Sequence, residues 1–467
     1  MMDLKGKKVL VVGLGKSGLA AALFLRRRGA QVTVSDIRSA EALARDIPAL
    51  LDAGINVEAG GHGLLTFRRQ DLIVVSPGVP LDTPELAQVR NFGLPIIGEL
   101  ELAARFLKGK ILAITGSNGK TTTTTLVGEI LKESGFSTLV GGNIGVPVVA
   151  LIDESTDETW SVLEVSSFQL ESTQQFHPAI AVILNITPDH LDRHGTFENY
   201  ALAKERISEA QTEHDFLVLN ADNARTAAAA SRSAAHVYWF SMERPVLQGA
   251  WVENGEIFFR HSKGASPEPI IPLSSIPLKG AHNVENVLAA VCSARLAGCP
   301  GAAVHRAIEN FRAVEHRLEY VTTVNGVEFY NDSKATNVDA TAKAIAAFPG
   351  GIHLILGGKD KNSDYTLLAP LLRQRVRAVY TIGSAASKIE SHLRGVVPLH
   401  SCETLEKAVA TATGAARPGD VVLLAPACSS FDQFESYEHR GRVFKELVAD
   451  APRFRVVPEV AESTPRS

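Results

Sequence analysis

Residues 110–135 read KILAITGSNGKTTTTTLVGEILKESG. A short apolar run leads into a glycine-rich turn, and the turn opens a helix-forming stretch. That order is the strand–loop–helix of phosphate-binding α/β proteins. Backbone amides of Gly116, Ser117, Asn118 and Gly119 cradle phosphates, Lys120 neutralises charge at the β/γ positions, and the Thr121 hydroxyl suits Mg2+. One departure stands out, because Ile114 occupies the place of the usual first glycine. The complete context outweighs it.

Outward from this stretch the same grammar repeats. KKVLVVGLG (7–15), QVTVSD (31–36) and DLIVVSPG (71–78) precede it as short buried runs. WSVLEVSS (160–167), IAVILNITPD (180–189) and DFLVLNAD (215–222) follow. VEFYNDSKATN (327–337), IHLILGGKD (352–360), AVYTIGS (378–384) and DVVLLAPA (420–427) form a third set. Continuous apolar runs alternating with alanine-rich helices predict parallel sheets covered on both faces. The fold class is therefore α/β, with three Rossmann-like or P-loop domains and mainly parallel sheets. The expected domains are 1–108, 109–313 and 314–467, with an irregular β insertion at 241–278 and a fraying tail, AESTPRS, at 461–467.

Composition narrows the class further. The 467 residues suit about three domains. With 47 Lys plus Arg against 51 Asp plus Glu, no basic surplus or polybasic run advertises nucleic acid. Four scattered cysteines without a C-x-x-C pair argue against a disulfide framework and for a reducing, cytoplasmic setting. No apolar stretch reaches the ~18 residues of a membrane span.

Four further clusters carry chemistry. Gly13-Leu14-Gly15-Lys16-Ser17-Gly18, with Asp36 ending the next strand, is a G-x-G-x-x-G dinucleotide pattern. By itself it admits NAD or any other nucleotide diphosphate. Glu164 ends a strand and reads as a second anchor for the nucleotide's Mg2+, while Glu171 reads as helix surface. His190 and His194 stand four apart, but Leu191 replaces the glutamate that a zinc-protease helix needs. In the last third, the loops around Arg317, Asp332, Lys334, Thr336, Lys361, Ser430 and Phe431 mix cations with hydroxyl and amide donors, the equipment for carboxylate or phosphate capture. Cys428 has no readable histidine partner and suits a small buried site.

In order along the chain, TGSNGKTT, LEVSSFQLE, NITPDHLDRH, AHNVENVLAA, EHRLE, NDSKATN and LLAPACSSFDQF resemble the Mur ligases, which form amide bonds with ATP in peptidoglycan precursor synthesis. Within that family, GLGKSGLAAALFL, LEVSSFQLE and PACSSFDQF look like the member that adds D-glutamate. The resemblance implies UDP-N-acetylmuramoyl-L-alanine, not NAD, at the first motif. Gly15, Lys16, Ser17, Asp36, Arg38, Gly78, Asn143 and His190 fall at its contact positions. It implies ATP at Gly116–Thr121, Thr122, Asn286, Arg317 and Asp332, and D-glutamate at Lys334, Thr336, Lys361, Ser430 and Phe431.

Two Mg2+ ions are implied, one at Thr121 and Glu164 and one near His190. Lys204 matches the family lysine that CO2 converts to a carbamate, and Lys120, His190, Lys204 and Lys334 match its catalytic set. Phe431 and Tyr437 replace a leucine and a phenylalanine of some relatives, which keeps apolar walls and alters their contacts. A monomer is expected. An NAD oxidoreductase would leave the P-loop unexplained. A non-catalytic nucleotide-binding protein would not need Lys120, Glu164, His190 and Lys204 together.

Overall fold

The apolar runs form the middles of three sheets in a computed structural model that describes residues 2–143, 145–312 and 314–450. The expected fraying of 461–467 and the Ala313 boundary lie outside the described residues. By its contacts the chain divides into two compact units. The first holds residues up to Pro277 with Asn283–Phe311, and the second holds Leu278–His282 with the residues from Arg312 on.

In the first unit, β1 (Lys8–Val12), β2 (Gln31–Asp36), β3 (Asn56–Ala59), β4 (Leu72–Val75) and β5 (Ile96–Gly98) pair in parallel, in the order β3-β2-β1-β4-β5. The order reverses at β1, so the glycine-rich turn after β1 opens at the topological switch point.

The unit's larger sheet contains β6 (Lys110–Thr115), β7 (Thr138–Gly142), β8 (Trp160–Glu164), β9 (Ile180–Ile183), β10 (Phe216–Asn220), β11 (His236–Ser241), β12 (Gly249–Glu253), β13 (Glu256–Arg260) and β14 (Glu268–Pro272). Their order is β14-β13-β12-β11-β10-β9-β6-β8-β7, parallel from β7 to β12 and antiparallel beyond. The 241–278 stretch is therefore no irregular insertion. It extends the sheet, because β12 pairs in parallel with β11 and then turns back through hairpins. Alternate burial of Ile257 and Phe259 supplies the period-2 face that such an outer strand needs.

The second unit contains β15 (Glu319–Val324), β16 (Val327–Asn331), β17 (Ile352–Gly357), β18 (Val376–Ile382), β19 (Leu399–Glu403) and β20 (Val421–Leu424). Their order is β15-β16-β20-β17-β18-β19, with only β15 antiparallel. Central strands are buried throughout: Leu112, Ala113 and Ile114 in β6 and all of β17 lose essentially all contact with solvent. Each leucine or isoleucine among them contributes about 1.5–3 kcal/mol, which outweighs the weak preference of short segments.

Burial also creates one liability. Glu99 opens the helix Glu99–Ala104 and is 1% exposed; its Oε1 accepts from the Val149 amide (2.8 Å), and its Oε2 has no hydrogen-bond partner among the described residues. Desolvation, opposed only in part by amides of Val149 and Val148, pushes the carboxyl up to about 7. The unfolded chain keeps an ordinary value near 4.5. Stability is thus unaffected by this group below that value, falls as pH rises towards the folded value, and stays lowered above it. The shift corresponds to a penalty on the order of 3 kcal/mol at pH 8. Glu99→Gln is expected to remove most of it. Urea midpoints of the two proteins should converge at pH 5 and diverge at pH 8; parallel pH profiles would refute the assignment.

Candidate functional site

The glycine-rich turn after β1 is built by contacts that tolerate no side chain. Gly13 takes φ +88, and a Cβ on Gly18 would stand 2.0 Å from the Gly13 carbonyl oxygen and 2.6 Å from Ser76 Oγ. Gly15 faces open space instead, beside the start of the helix Lys16–Arg27, which has no side-chain cap and so offers free amides of the kind that bind anions. A cavity of about 440 Å3 opens there, lined by Gly15, Lys16, Ser17, Arg38, Gly78 and Asn143 among others. Asp36 also lines it, but its carboxylate turns inward. Burial alone would raise its pKa; the Arg38 guanidinium and the amides of Leu14 and Arg38 overcome that and bring it to about 2. Asp36 therefore braces the turn. His62, Ser76, Pro77 and Val79 line the same cavity and are missing from the sequence reading.

The second loop follows β6. Gly119 has φ +88 at the start of the helix Lys120–Glu133, and a Cβ there would stand 2.1 Å from Asn286 Oδ1. Asn286, 4% exposed, thus packs directly against the glycine-rich loop after β6. The loop is pinned from β9's end: the Ser117 amide donates to the Asn185 carbonyl (2.8 Å), and the Asn118 amide donates to Asn185 Oδ1 (2.9 Å). Asn185 was not singled out from sequence, although it opens the NITPDH string.

Glu164, 1% exposed at the end of β8, accepts from the Thr121 hydroxyl (2.7 Å) and from Asn143 Nδ2 (2.9 Å). Lys120 Nζ donates to the carbonyls of Gly116 (2.9 Å) and Ser117 (3.0 Å). Lys204 Nζ donates to the same Gly116 carbonyl (2.9 Å) and lies 4.6 Å over the Tyr200 ring. Six of the sequence-assigned residues thus surround one phosphate loop.

Lys204 is 2% exposed, although most lysines are solvated. Burial, together with the Lys120 charge, holds its amine well below the ordinary lysine range, and Asp189 and Glu164 oppose this only in part. His190 begins the turn Leu191–His194 with φ 52, and its amide donates to Asp189 Oδ1 (2.9 Å). His194 is held differently. It is buried between Ser167 Oγ (3.0 Å) and Glu171 (3.1 Å) and stacks on Phe168. Glu171 consequently corrects the expectation of a helix-surface residue. It pairs with Arg193 (2.7 Å) as well as His194, bracing the His190 turn.

In the second unit, Asp332 follows β16, and burial pushes its carboxyl up to about 6 against the opposing Arg317 charge. Lys334 Nζ donates to Tyr437 Oη (2.8 Å) and sits 4.5 Å over that ring. The loops after β17 and β20 are joined through paired amide–carbonyl bonds between Lys359 and Ser429. Ser430 is buried, and Phe431 is 68% exposed. Arg440, absent from the sequence reading, is fully buried and donates to the carbonyls of Ser333 (2.7 Å) and Cys428 (3.2 Å), tying the Lys334 loop to the Ser430 loop. Burial lowers its pKa to about 10. Cys428 is buried against Tyr365 Oη (3.0 Å), and desolvation raises its thiol to about 11, far from a nucleophile's range. Glu315, His316 and Glu319 converge as metal ligands would, but the Lys445 ammonium pairs with both glutamates and supplies the cation itself.

Three family models match the chain: a Mur ligase MurD-like N-terminal domain at 7–98, a Mur ligase middle domain at 114–294 and a Mur ligase glutamate ligase domain at 316–428. The UDP-N-acetylmuramoylalanine--D-glutamate ligase of Acidobacterium capsulatum is 73% identical, covering 96% of this chain and 97% of its own. The enzyme of that name from Koribacter versatilis is 61% identical over 96% and 98%. Among solved structures, MurF ligase from Thermotoga maritima in complex with ADP superposes with TM-score 0.61 at 19% identity, covering 98% of this chain and 100% of that one. MurC from the same organism gives 0.60 at 22% identity over 95% and 100%. These two likenesses concern the fold alone. Among the described residues, no helix is long and apolar enough to cross a membrane.

Proposed function

The chain belongs to the Mur ligase family, and from that premise we infer that it joins D-glutamate to UDP-N-acetylmuramoyl-L-alanine with ATP, in peptidoglycan precursor synthesis. The observation that carries the reading is the convergence of Lys120, Thr121, Glu164 and Lys204 on the loop after β6.

A carboxylate is a poor electrophile, so amide formation needs activation. The alanyl carboxylate attacks the γ-phosphorus of ATP and gives an acyl phosphate and ADP. The D-glutamate amine then adds to the acyl carbon, and phosphate leaves. Positioning and charge neutralisation supply most of the rate in such phosphoryl transfers. Lys120, the first residue of the helix that follows the loop, neutralises the β/γ oxygens. The amides of Gly116–Gly119 orient them, and Asn286, Arg317 and Asp332 hold the nucleotide's remaining parts. Lys334, Thr336, Lys361, Ser430 and Phe431 hold D-glutamate, whose two carboxylates call for cations.

The donor set after β6 and β8 fits a hard divalent ion: a buried carboxylate and a hydroxyl, all oxygen. Thr121 and Glu164 would hold one Mg2+, and His190 with Lys204 a second. The ions would spread negative charge as phosphate transfers. As an ammonium, Lys204 would repel a cation. As the neutral amine that its burial favours, it can add CO2 with loss of a proton and become an anionic carbamate. The first domain, 1–108, carries the UDP moiety, 109–313 the ATP and 314–467 the amino acid. Four free, buried cysteines suit a cytoplasmic location, and the proposal places the protein there as a monomer.

Phosphate release from ATP, Mg2+ and UDP-N-acetylmuramoyl-L-alanine tests the reading across D-glutamate, L-glutamate, L-lysine and diaminopimelate. Release with D-glutamate alone is expected. Release with another amino acid moves the protein to a different step, and release with none refutes the acceptor site.

A further inference from the structure

In Rossmann-type sheets the carboxylate ending the second strand ordinarily accepts from the hydroxyls of a bound nucleoside. Asp36 holds that position with its capacity spent. Its Oδ2 accepts from the Leu14 amide (2.7 Å) and Arg38 Nη2 (2.9 Å). Its Oδ1 accepts from the Arg38 amide (2.8 Å) and Arg38 Nε (3.1 Å). A carboxylate offers about four lone-pair sites, and all are filled. Nucleoside donors entering this end of the cavity need another acceptor.

His62 lines the same cavity, half-buried, with its ring held on two sides. Nδ1 lies 2.7 Å from Ser35 Oγ, and the ring packs edge-on against Phe67 at 5.7 Å. Ser35 is fully buried, and its hydroxyl has the Gly61 carbonyl 3.4 Å away to donate to. In the arrangement in which the hydroxyl donates to that carbonyl, His62 Nδ1–H donates to Ser35 and the lone pair stays on Nε2. The backbone beneath is equally fixed, since the Gly60 amide donates to the carbonyls of Asp36 (3.1 Å) and Arg38 (2.8 Å). The end of β2 therefore sets the place of this ring and gives its Nδ1 a partner, leaving Nε2 as the ring nitrogen without a role in that contact.

We propose that His62 Nε2 is the hydrogen-bond acceptor for the uridine end of the UDP-substrate, taking the imide N–H of the base or a ribose hydroxyl. The inference rests on the reading of this cavity as the UDP-substrate site. Both donors are neutral, and the loss of one such bond weakens binding about 3- to 10-fold.

Calorimetric titration with UDP-N-acetylmuramoyl-L-alanine, its N3-methyl analogue and its 2′-deoxy and 3′-deoxy analogues separates the sources. His62→Ala is expected to weaken the parent substrate by that factor, and His62→Gln, which keeps an acceptor, to recover part of it. One analogue should bind the wild type more weakly than the parent does, yet bind His62→Ala no more weakly than the parent; its identity names base or ribose. A parent affinity within twofold of wild type in His62→Ala overturns the inference, as does an equal loss on all four ligands. A wild type that binds none of them overturns the cavity's assignment and this inference with it.

Discussion

Lys204→Ala is expected to lower D-glutamate-dependent phosphate release by about 10²–10³-fold, the usual effect of removing one charge-stabilising group from a phosphoryl-transfer site. Lys204 lies beneath the Gly116 carbonyl, beside Lys120, and too deep for a solvated ammonium. A second permanent cation there would only compete with Lys120. A neutral amine that captures CO2 adds the negative charge that a cation site requires, so added bicarbonate should raise wild-type turnover and leave Lys204→Ala unchanged. Labelled bicarbonate should give a carbamate signal in the wild type alone. Near-normal activity in Lys204→Ala would refute the role. Wild-type activity indifferent to CO2 removal would refute the modification.

Glu164→Gln should cost a similar ~10²–10³-fold, with a raised Mg2+ requirement. The substitution is nearly isosteric and keeps an acceptor for the Thr121 hydroxyl, now 2.7 Å from Oε2. What it removes is the charge, and what it adds is an amide facing Asn143 Nδ2. If Glu164 merely fastened β8 to the helix Lys120–Glu133, the cost would appear as lowered stability at unchanged Mg2+ dependence. An Mg2+ titration beside a thermal melt separates the two, and an unshifted Mg2+ midpoint would contradict the metal assignment.

Strands buried on both faces were plain in the sequence, because double burial erases alternation. KVLVV, ILAI and VVLL are nearly pure aliphatic runs. The strands that escaped notice sit at or near sheet edges. NVEA in β3 and LHSCE in β19 bury little, and IIG in β5 is three residues long. The reversal after β12 was misread for a related reason, since a hairpin appended to a parallel sheet changes period in mid-domain.

Candidate site residues on loops after strands were legible, because glycine spacing and fixed strings mark them. Residues that act by bracing were not. Arg440 lies in an ordinary-looking helix, and only the fold brings it to Ser333 and Cys428. Asp36 was legible as a site residue but not in its orientation, which the Arg38 guanidinium decides. His62 carried no signal beyond the glycines before it.

The central claim is that the alanyl carboxylate is activated by phosphorylation before the amine arrives. Oxygen-18 placed in that carboxylate tests it most directly. The acyl phosphate route transfers one labelled oxygen to inorganic phosphate in every turnover that makes an amide. Phosphate carrying the label in step with D-glutamate incorporation is the expected result. Amide product formed while the released phosphate stays unlabelled would contradict the account.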